Sequence, residues 1–121
     1  MSKRILVVED QEDNRRIVRD LLTSVGYEIV EAVTGEEGVG MAITHAPDLI
    51  LMDIQLPGID GYEATRRIKA QAELRQIPII AVTSYALSGD DVKAFEAGCD
   101  AYVSKPFSPR ALLAKIREFV P

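Results

Sequence analysis

Residues 49–53 read Leu-Ile-Leu-Met-Asp, four apolar side chains in a row that end on a carboxylate. Residues 5–10 repeat the pattern as Ile-Leu-Val-Val-Glu-Asp. A strand that is solvated on one face alternates apolar and polar residues, whereas a strand covered on both faces is apolar throughout. Both stretches therefore predict buried strands of a parallel sheet, each followed by acidic residues.

Short aliphatic or β-branched segments alternate with longer segments of helical spacing along the chain. The sequence predicts five strands, at residues 4–8, 27–32, 48–52, 77–82 and 101–104. A helix is predicted after each strand, and the first helix carries an apolar stripe that stops at Gly26. This alternation is typical of an α/β protein whose parallel sheet carries helices on both faces.

The starts of the helices are marked by capping residues. A side-chain oxygen just before a helix accepts a hydrogen bond from a backbone N–H of the first turn. Such residues precede the last four predicted helices, at Thr34, Asp60, Ser88 and Ser108. Within the second helix lie Gly38 and Gly40, and each costs about 1 kcal/mol relative to alanine, so intrinsic propensity favours this helix least.

Composition limits the kinds of protein that this chain can be. Its 121 residues suffice for one domain, 1–121, with a net charge of −5 and a pI near 4.9. An acidic chain does not favour general binding to nucleic acid or to anionic membranes. One cysteine and one histidine form neither an internal disulfide nor an ordinary four-ligand zinc site. No apolar run approaches the roughly 18 residues of a membrane span and no signal peptide is present, so we expect a cytoplasmic protein.

The polar residues that follow the predicted strands are expected to lie together. In open parallel sheets, ligands bind beyond the carboxyl ends of the strands, where the strand order reverses. These positions hold carboxylates, a hydroxyl and an ammonium, namely Glu9, Asp10, Asp53, Thr83 and Lys105. If the first and third strands are neighbours, as in the flavodoxin-like order, the carboxylates lie within a few ångströms of one another.

Such a cluster of carboxylates requires a compensating cation. Two carboxylates about 4 Å apart repel by about 4 kcal/mol at an effective dielectric constant of about 20. Oxygen ligands suit a hard ion, and Mg²⁺ is the usual one where phosphate chemistry follows. An Asp carboxylate beside Mg²⁺, with a Lys ammonium and a Thr hydroxyl opposite, is suited to accept a phosphoryl group as the nucleophile.

Four groups of residues, in this order and spacing, resemble the receiver domain of two-component response regulators. They are Glu9-Asp10, residues 52–61 (Met-Asp-Ile-Gln-Leu-Pro-Gly-Ile-Asp-Gly), Thr83-Ser84 and residues 102–106 (Tyr-Val-Ser-Lys-Pro). The resemblance covers essentially the whole chain and implies a flavodoxin-like (βα)5 three-layer sandwich with strand order 2-1-3-4-5. It also implies a single receiver domain without an output domain, similar to the stand-alone receivers of the DivK type.

The resemblance implies roles in phosphoryl transfer for residues after the third, fourth and fifth strands. Asp53 is expected to be the phosphorylated residue, and Thr83 and Lys105 are expected to bind the phosphoryl oxygens. Tyr102 resembles the aromatic switch residue, which turns inward when Thr83 moves toward the phosphate. The bond between Lys105 and Pro106 resembles a family feature that is commonly cis and that would aim the Lys105 ammonium.

The resemblance implies a metal site as well. Glu9 and Asp10 are expected to hold Mg²⁺ together with Asp53 and the backbone carbonyl of Gln55. The acidic pair is Glu-Asp where the family often has Asp-Asp, a variant that keeps two carboxylates. Gln55 and Tyr85 flank the site at positions where the family varies, and we expect them to influence the lifetime of the phosphate.

Partners follow from the same resemblance. The phosphoryl group is expected to come from a sensor histidine kinase or a histidine phosphotransferase. A downstream protein is expected to bind through the face of helix four, strand five and helix five, with the chain a monomer or weak dimer. The chain would catalyse only its own phosphorylation and dephosphorylation. Arg15, Arg16 and Arg19 form either a solvated helix face or a docking edge for the phosphodonor protein.

Other functions and plainer residue roles stay open at the level of sequence. A flavin or nucleotide binder needs a Gly-, Ser- or Thr-rich loop after the first strand, whereas residues 9–13 would repel phosphate. A Mg²⁺-dependent aspartyl phosphatase resembles an Asp-x-Asp pattern, but Gln55 stands at the second position. Plainer roles are a strand-end residue for Thr83, a solvated lysine for Lys105 and a core residue for Tyr102.

Overall fold

Strands and helices alternate along the chain in the computed structural model, which describes residues 2–83 and 90–121. The strands are β1 (Arg4–Val8), β2 (Glu28–Ala32), β3 (Leu49–Asp53), β4 (Ile79–Thr83) and β5 (Ala101–Ser104). The α-helices are α1 (Glu12–Ser24), α2 (Gly35–His45), α3 (Gly61–Lys69), α4 (Asp90–Ala97) and α5 (Pro109–Phe119), and a 3-10 helix spans Ala72–Leu74. The strands form one parallel sheet in the order β2-β1-β3-β4-β5, which confirms the predicted flavodoxin-like α/β fold.

β1 and β5 have the predicted boundaries, whereas the boundaries of β2, β3 and β4 differ from the predicted ones by one or two residues. β3 extends through Asp53, which is in register with Val82 of β4. β4 begins at Ile79, two residues after the predicted start at Ile77, because Pro78 has no N–H to donate to the sheet. Its carbonyl still accepts a hydrogen bond from the N–H of Ile50 at 2.9 Å.

Side-chain oxygens cap three helices as the sequence predicts. Thr34 accepts from the N–H of Glu37 at 3.0 Å, Asp60 from that of Glu63 at 2.9 Å, and Ser108 from that of Ala111 at 3.0 Å. The fourth predicted cap, Ser88, lies outside the described residues. The first helix ends at Ser24, and Gly26 follows with a φ of +98°, a conformation that favours glycine.

The sheet separates two hydrophobic clusters. On one face, Leu6 and Val8 of β1 pack with residues of α2, α3 and α4, whereas Ile5 and Val7 pack with residues of α1 and α5 on the other. Because successive side chains of a strand point to opposite faces, a strand covered on both faces must be apolar at every position. This explains the continuous apolar runs of β1 and β3.

Gly38 in α2 serves the packing of that helix against β1. A Cβ atom at this position would lie 2.9 Å from Cγ2 of Val8, whereas at Gly40 it would meet nothing within 4 Å. Gly38 thus lets the helix approach the strand closely, and this packing offsets its low helix propensity. Among the described residues, no helix is long and apolar enough to cross a membrane.

Candidate acidic site at the carboxyl edge of the sheet

The strand register brings the predicted site residues to one edge of the sheet. Val8 is in register with Met52, so the residues that follow each of them, Glu9 and Asp53, are neighbours. Thr83 pairs with Ser104 at the end of β5, one residue before Lys105. The parallel strands therefore deliver carboxylates, a hydroxyl and an ammonium to the same place, as the sequence predicts.

Glu9, Asp10 and Asp53 form an acidic cluster. One carboxylate oxygen from each lies within 4.8 Å of the others. Glu9 and Asp53 are both 5% exposed, whereas Asp10 is half-buried. Buried carboxylates in this number need compensating positive charge, because each has lost most of its hydration.

Lys105 supplies part of that charge. Its Nζ atom donates to Oε1 of Glu9 at 2.7 Å and to Oδ2 of Asp53 at 3.3 Å. Burial lowers the pKa of the Lys105 ammonium, but the hydrogen bond to Glu9 and the charge of Asp53 outweigh it, so the pKa is raised. Lys105 is therefore a protonated, charged donor, and the plain role of a solvated lysine does not describe it.

Backbone N–H groups orient the two buried carboxylates. The N–H of Gln11 donates to Oε2 of Glu9, and that of Gln55 donates to Oδ1 of Asp53, both at 3.1 Å. In both Glu9 and Asp53, one carboxylate oxygen thus accepts a hydrogen bond from Lys105, and the other accepts one from the backbone N–H two residues later in the chain. The three carboxylates of the cluster still carry more negative charge than the Lys105 ammonium neutralises. These oxygen donors and this excess negative charge fit a hard divalent cation.

Thr83 and Tyr102 lie on the adjacent strands β4 and β5. Thr83 ends β4, is 1% exposed, and its carbonyl accepts a hydrogen bond from the N–H of Lys105. Tyr102 is half-buried and packs against the hydrophobic cluster on the α2–α4 face. The Lys105–Pro106 bond is cis, as the family resemblance implies. The switching role of Tyr102 stays a prediction.

Gly61, the last residue of the stretch 52–61, lies against the backbone of Asp53 and Ile54. Its N–H donates to the carbonyl of Ile54 at 2.9 Å. A Cβ atom there would collide with the carbonyl oxygen of Asp53 and would lie 2.7 Å from Cα of Ile54. Glycine therefore allows the start of α3 to press against the end of β3. A glycine directly after the capping residue Asp60, in the first turn of a helix, is the sequence signal for this contact.

An open cavity of about 480 Å³ adjoins the acidic cluster on the α1–α5 face. Four of its lining residues are polar, namely Glu9, Asn14, Asp53 and Lys105. The others are apolar, namely Val7, Val8, Ile17, Val18, Leu51, Val82, Pro106, Phe107 and Leu112. Among these, Ile17 is 60% exposed.

The arginines of α1 do not form one uniform solvated face. Arg15 and Arg19 pair with Glu31 of β2 at 3.0 and 3.2 Å, whereas Arg16 is exposed and pairs with Asp13. The Arg15 side chain also donates to the backbone oxygen of Glu9. Of the two alternatives for these arginines, the solvated face is wrong for Arg15, because packing of α1 against β2 brings its guanidinium to the backbone of Glu9; a docking role stays a prediction.

For two predicted residues beside the cluster, Gln55 and Tyr85, the proposed roles stay predictions. Tyr85 lies outside the described residues, so its expected influence on phosphate lifetime stays a prediction. Gln55 is exposed and its N–H binds Asp53, while a metal-binding role of its carbonyl stays a prediction. Leu112 of α5 is fully buried in the α1–α5 cluster and therefore does not contribute to the surface that is predicted to bind a downstream protein.

Residues 5–117 match the family described as the response regulator receiver domain. The chain belongs to that family. The prediction made from the acidic pair, the acceptor motif and the Lys-Pro pair is thereby confirmed. The receiver domain is thus a signal-transduction protein of the two-component class rather than a conventional enzyme.

The chain also matches individual response regulators over nearly their full length. It is 44% identical over 120 residues to the polar-differentiation response regulator DivK of Brucella ovis, covering 99% of this chain and 98% of DivK. This similarity confirms the resemblance to response regulators of the DivK type.

Solved structures share the fold over nearly the whole chain. The receiver domain of a sensor histidine kinase from Pseudomonas aeruginosa, crystallised with a magnesium ion in its active-site cleft, superposes with a TM-score of 0.92 at 38% identity, covering 99% of this chain and 98% of that one. A CheY-like receiver domain protein from Methanospirillum hungatei superposes with a TM-score of 0.91 at 36% identity, covering 98% and 93%. The flavodoxin-like architecture is therefore that of the family.

Proposed function

We propose that this response regulator accepts a phosphoryl group on Asp53 and signals through phosphorylation-dependent contacts with other proteins. The observation that carries the proposal is the meeting of Asp53 with Glu9, Asp10 and Lys105 at one edge of the sheet. A buried carboxylate that the Lys105 ammonium and the backbone N–H of Gln55 hold in one orientation is a preorganised nucleophile.

The chain's own residues divide the chemistry among them. A carboxylate oxygen of Asp53 attacks the phosphorus atom of the donor, and the bond from phosphorus to the donor's leaving group breaks. The Lys105 ammonium, already within hydrogen-bond distance of Asp53, stabilises the negative charge of the transferred oxygens. Thr83, at the end of the neighbouring strand, provides a hydroxyl that donates to one of them.

The acidic cluster is proposed to hold Mg²⁺. Glu9, Asp10 and Asp53 supply carboxylate oxygens, and the backbone carbonyl of Gln55 would complete the protein ligands. A magnesium ion is present in the active-site cleft of the similar receiver domain from Pseudomonas aeruginosa, which supports the same ion here. When bound, it neutralises charge on the transferred phosphoryl oxygens.

The phosphoryl donor is proposed to be a histidine kinase or a histidine phosphotransferase. A largely apolar cavity, lined also by Asp53 and Lys105, opens on the α1–α5 face. The exposed side chain of Ile17 in its lining and the exposed Arg16 on the same helix offer mixed apolar and basic contacts. Such a surface suits a protein that must bring its phosphohistidine to the acidic edge.

The output is proposed to leave through α4, β5 and α5. Val92 and Phe95 on α4 are 53% and 52% exposed, and exposed apolar side chains of this size mark candidate interaction sites. Residues 1–121 would act as a receiver domain in the cytoplasm, as a monomer or weak dimer. Phosphorylation would change this face through Thr83 and Tyr102.

Labelling of Asp53 tests the proposal. Purified protein is incubated with acetyl phosphate and Mg²⁺, and the added phosphoryl group is located by intact-mass and peptide mass spectrometry. Asp53→Asn should abolish labelling, while Asp60→Asn, which removes the same charge at an exposed helix cap, should label as the wild type does. Full labelling of Asp53→Asn would refute the assignment.

A further inference from the structure

Arg15 connects the acidic site to the strand beside it. Its Nη1 donates to the backbone oxygen of Glu9 at 2.9 Å, and its Nε donates to Oε1 of Glu31 at 3.0 Å. Its side chain is only 15% exposed. Two hydrogen bonds in different directions, made by a planar and largely buried guanidinium, hold it in one orientation.

The oxygen that Arg15 binds belongs to the peptide unit between Glu9 and Asp10. A peptide unit is planar. A hydrogen bond that fixes the Glu9 carbonyl oxygen therefore also fixes the orientation of the Asp10 N–H and the position of the Asp10 Cα. The N–H of Glu9 donates to the carbonyl of Ala32 at 3.0 Å, which fixes the preceding peptide as well. The directions in which two of the three carboxylates leave the backbone therefore depend on the bond from Arg15.

Glu31 holds Arg15 in place from the neighbouring strand. Glu31 is in register with Val7, two residues before Glu9, and its Oε1 and Oε2 also accept hydrogen bonds from Arg19 at 3.2 Å. Arg15 and Arg19 are four residues apart on α1, where like charges repel. The carboxylate of Glu31 lies between them and removes that repulsion, so the guanidinium of Arg15 is kept against Glu9.

We propose that Arg15, held by Glu31, is a positioning residue for the cation site formed by Glu9, Asp10 and Asp53. The inference rests on the proposed function, in which this cluster holds Mg²⁺. Arg15 does not contact the cation; it acts through the backbone of Glu9. Residues in such an outer position commonly change metal affinity by about 10- to 100-fold when they are removed.

The direction in which Mg²⁺ affinity changes when Arg15 is replaced distinguishes a positioning role from a purely electrostatic effect of its charge. A cationic side chain near the site repels a divalent cation, so removing its charge alone should tighten Mg²⁺ binding. Loss of positioning should weaken it. Mg²⁺ affinity is therefore measured by isothermal titration calorimetry with magnesium chloride for wild type, Arg15→Met and Arg16→Met. Arg16, the next residue of α1, is exposed and pairs with Asp13, so it serves as the control for charge.

Arg15→Met is expected to bind Mg²⁺ about 10-fold more weakly than the wild type, and Arg16→Met to bind it as tightly or slightly more tightly. Unchanged or tighter binding by Arg15→Met would overturn the proposal. Circular dichroism and thermal unfolding show whether each variant is folded.

A second pair of variants, which carry the same net charge as each other, tests the role of Glu31. Glu31→Ala and Glu31→Gln both remove one negative charge, but the glutamine oxygen still accepts a hydrogen bond from Nε of Arg15. Glu31→Ala is expected to bind Mg²⁺ several-fold more weakly than Glu31→Gln. Equal affinities would contradict the inference even if Arg15→Met proved unstable.

Failure of the inference can be told apart from failure of the proposed function. If the wild type binds Mg²⁺ and is phosphorylated on Asp53 while the Arg15 and Glu31 variants retain its affinity, only the positioning role is wrong. If the wild type itself binds no Mg²⁺, the metal site of the proposed function is wrong and the positioning role fails with it.

Discussion

The ammonium of Lys105 lies 2.7 Å from Oε1 of Glu9, closer than the 3.3 Å that separates it from Oδ2 of Asp53. In this state the lysine neutralises a proposed metal ligand more than the proposed phosphoryl acceptor. A cation bound by Glu9 must therefore compete with Lys105 for the same carboxylate. Release from Glu9 would leave the ammonium available to the phosphoryl oxygens.

Replacing Lys105 should expose this competition. Lys105→Met is expected to bind Mg²⁺ about tenfold more tightly, since a positive charge a few ångströms away is removed. Without Mg²⁺ it should lose about 2–3 kcal/mol of unfolding free energy, because two buried carboxylates lose their donor. Calorimetry and urea denaturation measure both effects. Lys115→Met, a lysine of α5 that pairs with Glu118, is the control, and weaker Mg²⁺ binding by Lys105→Met would contradict the competition.

Asp10 should be needed for the metal and not for the fold. Asp10→Ala is expected to lose Mg²⁺ binding and most phosphorylation by acetyl phosphate. Its metal-free form should be more stable by about 0.5–1 kcal/mol, because one carboxylate of a repelling cluster is gone. Asp13→Ala removes the same charge from a side chain that is 87% exposed, and it should change neither Mg²⁺ binding nor phosphorylation. An Asp10→Ala protein with wild-type Mg²⁺ affinity would show that Asp10 is not a ligand.

Thr83 should couple phosphorylation to the output face. Thr83→Ala is expected to accept phosphate on Asp53 while losing the response of β5, because the hydroxyl that moves toward the phosphoryl oxygen is absent. Thr83→Ser keeps the hydroxyl and should keep the response. The measurement is the change in amide chemical shifts of Tyr102 and its neighbours when beryllofluoride is added. A full response in Thr83→Ala would mean that the signal takes another route.

Glycine at position 61 should be required where glycine at position 40 is not. Gly61→Ala is expected to cost about 1–3 kcal/mol and to slow phosphorylation, because its Cβ would displace the backbone at Asp53 and Ile54. Gly40→Ala meets nothing within 4 Å and should stabilise α2 by about 0.5–1 kcal/mol. Thermal unfolding and labelling rates are measured for both variants. Equal stability of Gly61→Ala and Gly40→Ala would contradict the close approach of α3 to the end of β3.

Cys99 should make stability fall at alkaline pH. Burial raises the pKa of its thiol above the ordinary 9.0, so above pH 9.0 the unfolded chain loses the proton first. The contribution of Cys99 to the unfolding free energy is thus full below that pH and is lost as the pH rises toward the folded pKa. Urea denaturation of wild type and Cys99→Ala between pH 8 and about 10.5 should give a steeper decline for the wild type. Parallel declines would show that the thiol titrates alike in both states.

The sequence was sufficient to predict the sheet and the residues at its carboxyl edge. Apolar runs that need cover on both faces predict β1 and β3, and parallel strands that end at one edge bring Glu9 and Asp53 together. These inferences depend on short-range pattern and on topology alone. The same information could not tell that Lys105 favours Glu9 over Asp53, because that preference depends on differences of less than 1 Å in side-chain position.

Contacts between distant elements account for the remaining differences. Gly38 is unfavourable by helix propensity, and only the approach of α2 to Val8 explains it. Arg15 has the sequence context of a solvated helix residue, and only the packing of α1 beside β2 brings it to Glu31. Both cases require knowing which residue faces which across the fold, and neither residue's immediate neighbours along the chain reveal it.

The bond between Glu9 and Lys105 joins residues 96 positions apart, and this affects the order in which the site is made on the ribosome. Synthesis runs from the N-terminus, so all three carboxylates of the cluster are translated well before their lysine. A nascent chain that has paired β1, β3 and β4 carries a grouped set of anions without its ammonium. Only when β5 emerges and pairs with β4 does Lys105 arrive, so the last strand made supplies the charge that the first two-thirds of the domain lack.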